Sequence, residues 1–279
     1  MKVTFFGTTT LLFDDGTDQA LFDAHFTRPS LFKYIFGSAG TDARLADELL
    51  AAHPMDRLRA VFISHSHHDH VMDAPYVMDH TGATLYGSRS ALNVARGGGV
   101  PEGRLVEFKG GETFEAGGYR VRVLPSLHSR PTLLNNDLGQ TIDAPLRQPA
   151  RLRDYKEGGS FDFYVEAGGK RCLIRPSFNY IEGQLDGLRA DVLFLGVAGL
   201  AKADAATEAK FFAETVDKVR PRLVIPLHWD NFFKRLDRPA TGMYPLVERT
   251  EVSFYRLARQ CEARGIGCLI QPPRTSVEI

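Results

Sequence analysis

Four histidines and an aspartate fall within six residues, His65-Ser66-His67-His68-Asp69-His70, directly behind the apolar run Ala60-Val61-Phe62-Ile63. Neutral imidazole and carboxylate are the ligands that divalent zinc, iron and manganese accept. An apolar run this short reads as a buried strand rather than a helix. The ligands therefore hang from a strand end, on a rigid support. On extended backbone His65 and His67, two apart, can converge on one ion. Asp69 and His70 follow where the chain turns and can face a second ion or the first ion's water. The competing reading is a solvated histidine-rich turn that binds metal weakly. The hydrophobic strand leading in and the acid among the imidazoles both speak against it.

Such a site needs a core behind it. With 279 residues, 43% of them apolar, the chain can bury one and is compatible with one large domain spanning 1–279. Lys+Arg and Asp+Glu are both 34, so the net charge is zero and nothing in it calls for nucleic acid or an anionic membrane. The three cysteines, Cys172, Cys261 and Cys268, lack paired spacing, which fits a reducing cytoplasm. No apolar run reaches membrane-spanning length and no leader pattern opens the chain, so a cytoplasmic protein is expected.

His65 to His70 resembles the HxHxDH signature of the metallo-β-lactamase superfamily. The resemblance implies an α/β (α+β) fold, a four-layer αββα sandwich with a one- or two-metal site along one edge of its paired sheets. Phe-Phe-Gly-Thr-Thr-Thr-Leu-Leu-Phe at 5–13, Leu-Phe-Asp at 21–23 and Ile-Pro-Leu-His-Trp at 225–229 further resemble the branch of ascorbate-6-phosphate lactonase and N-acylphosphatidylethanolamine phospholipase D.

The chain opens as a meander of strands at 2–6, 9–13 and 19–22. The resemblance makes Asp23, at the end of the third, an acceptor that orients a ligand imidazole; a plain turn-forming Asp remains the alternative. His25 follows in a loop rich in aromatic residues and is held as a pocket candidate. A helix at 42–52 is capped by Thr41, and helices at 73–80 and from Ser88 to 96 follow the motif. Strands at 105–108 and 119–124 lead to His128, where the family places the third ligand of its first metal. Residues 129–160, which include Asn135-Asn136-Asp137, lose periodicity and are expected to cover the site. Arg130, Arg147, Arg151 and Arg153 in this stretch can meet a phosphate or carboxylate of the substrate.

A hairpin at 161–166 and 171–174 delivers Ser177 to the place where most of the superfamily has an Asp bridging two metals. A neutral hydroxyl is a poor ligand there. Three outcomes stay open: a mononuclear site, a second ion held by Asp69, His70 and His228, or loss of catalysis. The second is favoured because every other ligand is present. A strand at 191–195, a helix at 207–219 capped by Thr207 and a strand at 223–226 then lead to His228. Trp229 and Phe232-Phe233 are pocket-lining candidates, with core packing as the alternative, and the tail holds a helix at 252–264 and a strand at 268–270.

Together these readings predict two divalent ions, zinc first with manganese or iron as alternatives, held by His65, His67 and His128 and by Asp69, His70 and His228. Asp69 is also the candidate proton acceptor or orienter of the attacking water. The expected activity is metal-dependent hydrolysis of an ester, lactone, amide or phosphodiester in a small-molecule substrate. The alternatives are a mononuclear iron-dependent oxidoreductase of the same fold and a non-catalytic metal-binding protein. A homo-oligomer is left open.

Overall fold

The computed structural model describes residues 1–131 and 136–279. Asn135, in the irregular stretch after His128, lies outside them.

The first sheet takes β1 (Lys2–Gly7), β2 (Thr10–Asp14) and β3 (Gln19–Phe22) as an antiparallel meander. A two-residue strand, β4 (Ser38–Ala39), stands apart, and then β5 (Leu58–Phe62), β6 (Thr84–Gly87) and β7 (Leu105–Glu107) join in parallel. The second sheet begins antiparallel with β8 (Thr113–Ala116) and β9 (Tyr119–Ser126). After β10 (Ala150–Arg151), which pairs with β4, come β11 (Ser160–Ala167) and β12 (Lys170–Arg175). β13 (Val192–Gly196), β14 (Leu223–Leu227) and β15 (Gly267–Cys268) complete it in parallel, and β16 (Thr275–Glu278) returns to pair with β1. Each large sheet has seven strands, in the orders β16-β1-β2-β3-β5-β6-β7 and β15-β14-β13-β12-β11-β9-β8.

Side-chain alternation sorts the faces, because successive residues of a strand point to opposite sides. Leu11, Phe13, Ala20 and Phe22 enter the core between the sheets, where they meet Val121, Phe163, Val165 and Phe194. Leu12 and Leu21 face out and are covered by the helices α2 (Ala43–Ala52), α4 (Ala74–His80) and α5 (Arg89–Gly97). On the far side, α6 (Ala205–Glu214), α7 (Val216–Val219) and α8 (Thr250–Glu262) cover the second sheet through Phe211, Phe212, Val216 and Leu257. Two short helices remain, α1 (Leu31–Phe36) and α3 (His68–Val71). The arrangement is the expected αββα sandwich. Among the described residues no helix is long and apolar enough to cross a membrane.

Several boundaries differ from the sequence reading, and capping explains two of them. Asp42, not Thr41, caps α2 by accepting from the Leu45 N–H; Thr41 instead bonds Gln148. Asp204, not Thr207, caps α6, and Thr207 supplies the amide that Asp204 accepts. That helix breaks at Thr215, whose hydroxyl turns back to the Phe211 carbonyl at 2.6 Å. The tail strand is only Gly267–Cys268, while β8 and β16, too polar to show an apolar pattern, form because exposed sheet edges accept them. The hairpin between β11 and β12 closes on Gly168 and Gly169, with φ of 54° and 72°, as a two-residue turn with positive φ at both positions requires.

Phe163 is fully buried between the sheets, with ring centroids 5.4 Å from Phe22 and 5.7 Å from Phe62. Phe163→Ala should therefore lower unfolding stability by about 3–5 kcal/mol. Urea denaturation checks this, and a loss below about 1 kcal/mol would mean that the two sheets collapse around the hole.

Candidate metal centre

All the ligand-bearing segments leave the sheets at one edge. Asp23 follows β3, the histidine motif follows β5, His128 follows β9, Ser177 follows β12 and His228 follows β14. For the parallel strands this is the carboxyl end, where loops are free to carry side chains into a common crevice. Beyond β5 the backbone stays extended through His67 (φ −64°, ψ 151°) and then winds into the single turn of α3. This change of path divides the motif into two groups.

His65, His67 and His128 form one group, with ligand nitrogens within 4.8 Å of one another. Their ring centroids are mutually 4.9 Å apart, at interplanar angles of 83°, 79° and 90°, a near-threefold arrangement about one point. Asp69, His70 and His228 form the other, also within 4.8 Å. Here Asp69 Oδ2 lies 3.3 Å from His228 Nε2 and 3.7 Å from His70 Nε2. The His65 and His70 centroids are only 3.7 Å apart, so the groups share a wall.

The fit to metal can be judged from the polar atoms. Nε2 of His65 and of His70 are buried with no hydrogen-bond partner among the described residues. Leaving such atoms unpaired costs free energy that a bound cation removes. Burial, and then the neighbouring imidazoles, hold the His65 pKa well below the ordinary range. Burial likewise takes His128 down to about 3. Both rings are thus neutral at physiological pH, the form that binds metal. Burial acts to raise the Asp69 pKa, but His70 and the His228 hydrogen bond outweigh it and hold the carboxyl well below its usual range. Burial acts to lower the His228 pKa, but the bond to Asp69 together with the charges of Asp69 and Asp230 outweighs it and raises the pKa.

Four of the six candidate ligands are held by groups behind or beside them. Asp23 Oδ2 lies 2.7 Å from His70 Nδ1, and the carboxylate also accepts from the Thr9 hydroxyl at 2.6 Å, the Ser64 hydroxyl at 2.8 Å and the Ser64 N–H at 2.7 Å. A carboxylate can only accept, so Nδ1 carries the proton and Nε2 presents its lone pair. His67 Nε2 is 3.1 Å from Asp137, which leaves Nδ1 as its ligand atom. His128 Nδ1 donates to the Ser129 carbonyl at 2.9 Å, and the His128 carbonyl accepts from Asn179 at 2.7 Å. His228 is held at φ 58° by its N–H bond to the Thr8 carbonyl at 2.6 Å.

Comparison with known proteins agrees with this geometry. Residues 20–229 match the family model of a beta-lactamase superfamily domain. The chain belongs to the metallo-β-lactamase superfamily. It is 24% identical over 276 residues to a metal-dependent hydrolase of Heliobacterium modesticaldum, covering 93% of this chain and 90% of that one. Among solved structures it resembles Igni18, a metallo hydrolase from the archaeon Ignicoccus hospitalis, with TM-score 0.64, 16% identity and coverage of 100% and 98%. It also resembles CmlA, a diiron β-hydroxylase from Streptomyces venezuelae, with TM-score 0.63 and 15% identity over 100% of this chain and 54% of that one. Both likenesses are likenesses of fold.

A cavity of about 820 Å³ opens over the two groups of this superfamily member, with His67, Asp69, His128 and His228 in its wall. Ser177 lines it too. Of the four arginines singled out in the irregular stretch, Arg130 and Arg153 reach the cavity, while Arg147 and Arg151 do not. His25 lies behind the site, fully buried, its Nδ1 3.3 Å from the Thr8 hydroxyl, and belongs to neither group. Of the three aromatic candidates after His228, Trp229 corrects the sequence reading by packing on Phe254 in the core between helix and sheet, while Phe232 and Phe233 line the cavity. Being next to a ligand in sequence says nothing of direction once His228 has taken a positive φ.

Three residues that sequence reasoning passed over hold the site together: Asp137, Ser64 and Gly158. Ser66, between the first two ligands, receives the irregular stretch, its N–H donating to the Glu157 carbonyl and its hydroxyl to the Lys156 carbonyl at 2.6 Å. A Cβ on Gly158 would stand 2.3 Å from the Ser66 hydroxyl and 2.4 Å from Ser90, so only glycine lets the two segments approach. The Gly158-Gly159 pair was the available signal.

Asp23→Asn removes the charge while keeping the shape, and offers His70 an amide that cannot match the carboxylate as an acceptor. Affinity for the ion held with His70 should fall about 10- to 100-fold, as when such outer partners are removed. Chelator competition measures it. Unchanged affinity would show that Asp23 only closes the turn.

Proposed function

We propose that this chain works as one domain, a metal-dependent hydrolase that binds two divalent ions and cleaves an ester, lactone, amide or phosphodiester bond in a small molecule. The observation that carries the reading is the pair of adjacent three-ligand groups, each with an unpartnered buried ring nitrogen, on the wall of one cavity. His65, His67 and His128 would hold one ion, and Asp69, His70 and His228 the other. Zinc suits imidazole and carboxylate sets of this size, with manganese and iron as alternatives. When bound, such ions act as Lewis acids that polarise the scissile group and make water acidic enough to attack near neutral pH.

The chain's own residues do the rest. Asp69 reaches the cavity and stays ionised, so its carboxylate is placed to orient the attacking water and receive its proton. His228 is bonded to the same carboxylate and keeps it in register. Ser177 stands where a bridging aspartate is usual in the superfamily, which leaves Asp69 as the one carboxylate within the two groups among the described residues. The described residues of 129–160 narrow access to the site through Tyr155 and Asp137. Lactones and phosphodiesters, the substrates of the branch that the opening and the 225–229 segment resemble, are the first to screen.

Elemental analysis of protein purified without chelator should give close to two zinc ions per chain. His228→Ala should reduce that to one and lower hydrolysis by more than about 100-fold, beyond the usual effect of losing an outer partner. One ion or none after zinc is supplied would sink the dinuclear reading. Coloured protein rich in iron, with no turnover of any ester or phosphodiester, would favour the oxidoreductase.

A further inference from the structure

The acids and the cations on the cavity wall are not in the same condition. Three acids line it, and each is spent. Asp69 sits in the second ligand group, and Asp137 is 3.1 Å from His67 Nε2. Glu248 accepts from the N–H groups of Gly199 and Ala201, at 3.1 and 3.2 Å, and from the Ser253 hydroxyl at 2.6 Å. Four cations share the wall, Arg130, Arg153, Lys156 and Lys202. Their side chains make no ion pair or hydrogen bond among the described residues, although the charge of Lys156 acts on Asp137 and that of Arg130 on Asp204, the cap of α6. Elsewhere this chain of zero net charge pairs its arginines freely, as in Arg96 with Glu102, Arg171 with Asp191 and Arg264 with Asp217.

The four come from three segments around one opening. Arg130 is two residues past His128, Arg153 and Lys156 flank Tyr155, and Lys202 ends the turn Leu200–Lys202 beyond β13. Lys156 is half-buried and anchored, since its own carbonyl accepts from Ser66 between two ligands; the other three are exposed at the mouth. The wall also carries apolar side chains, among them Leu152, Phe178, Phe211, Phe232 and Met243, beside polar ones such as Ser177 and Asn179. With the three carboxylates each committed to a neighbour, the charge left to meet a ligand on this wall is positive, and a partly desolvated cleft strengthens its pull on an anion.

We propose that the substrate is an amphipathic oxyanion: its scissile bond lies at the two ligand groups, its apolar body fills the cavity, and a terminal carboxylate or phosphate is held at the mouth by Arg130, Arg153, Lys156 and Lys202. The proposal rests on the hydrolase reading and names its substrate class.

The test uses the purified protein with its metals and two matched esters, 4-nitrophenyl hydrogen adipate and 4-nitrophenyl hexanoate, which differ in the terminal carboxylate. KM for the anionic ester should be about tenfold lower, as charge-assisted hydrogen bonds would make it. The gap should narrow at about 1 M salt, where screening acts within about 3 Å. Arg153→Glu with Lys156→Glu should abolish the preference, and Arg153→Gln with Lys156→Gln should reduce it if the reversed pair fails to fold. Arg147→Glu, exposed and outside the cavity, should keep it. Calorimetry with 6-phenylhexanoate and 6-phenylhexan-1-ol reads the same preference without turnover. Equal binding of acid and alcohol, or a preference that survives charge reversal, overturns the proposal even if both esters are cleaved. No cleavage of either ester, with a calorimetric preference that charge reversal removes, strikes simple ester hydrolysis from the hydrolase reading and leaves the anionic class standing.

Discussion

The Asp23 carboxylate is the knot from which the site is tied. It is 1% exposed and stands at φ 55°, a backbone state that costs free energy in any residue but glycine. Burying a carboxylate is costly unless its oxygens are satisfied, and four donors satisfy this one. Thr9 comes from the turn after β1, Ser64 from the end of β5 and His70 from α3. One charge therefore joins three segments of the first sheet and sets which nitrogen of His70 faces the metal groups.

The second sheet must be brought to this knot with comparable precision, because His128 and His228 belong to it. Tilted aromatic rings span the gap, from Phe13 to Phe194 and from Phe22 and Phe62 to Phe163. Two fully buried ion pairs stand nearby. Arg28 meets Asp230 at 2.6 Å, and Asp230 also accepts the Thr8 N–H at 2.8 Å, so the pair holds the loop beside His228. Arg175 meets Asp162 at 3.0 Å and donates to the Asn179 carbonyl, while Asn179 donates to the His128 carbonyl. Buried pairs add little net stability against apolar replacements, but breaking one is severe, so these two act chiefly as devices of position. Gly7 belongs to the first of them, since a Cβ there would stand 1.8 Å from the Arg28 guanidinium.

Strain gathers in the same place. Thr8, Asp23 and His228 all have positive φ, at 52°, 55° and 58°, and all three lie within one shell of the ligand groups. Such conformations persist when the surroundings determine them several times over, which the hydrogen bonds of Asp23 and the Thr8 to His228 contact do. The irregular stretch is bound to this shell through Ser66 and through Asp137, so access to the cavity and the orientation of His67 are linked by covalent chain as well as by hydrogen bonds.

Much of this was legible beforehand. The strand into His65, the spacing of the imidazoles, the hairpin on Gly168-Gly169 and the two later strand-end histidines are local patterns, governed by side-chain period, ligand chemistry and turn geometry. Helix caps were misplaced by one residue at Asp42 and three at Asp204, because Thr and Asp compete for the same role and only the realised backbone chooses. Trp229 went inward because the positive φ of His228 turned the chain. Asp137 and the Gly158-Gly159 pair were visible in the irregular stretch, but the roles of Asp137 and Gly158 were not, since they depend on residues about 70 and 90 positions away, at His67 and Ser66. The sequence by itself determined which candidate ligands the chain carries, the strands they leave and the fold class, all properties of short segments, and the family resemblance already divided those candidates into two groups. Tertiary structure alone decided the nitrogen that His67 and His70 present, the groups that hold them and the gathering of four cations on one cavity wall, because each depends on distances between segments that chain order does not contain.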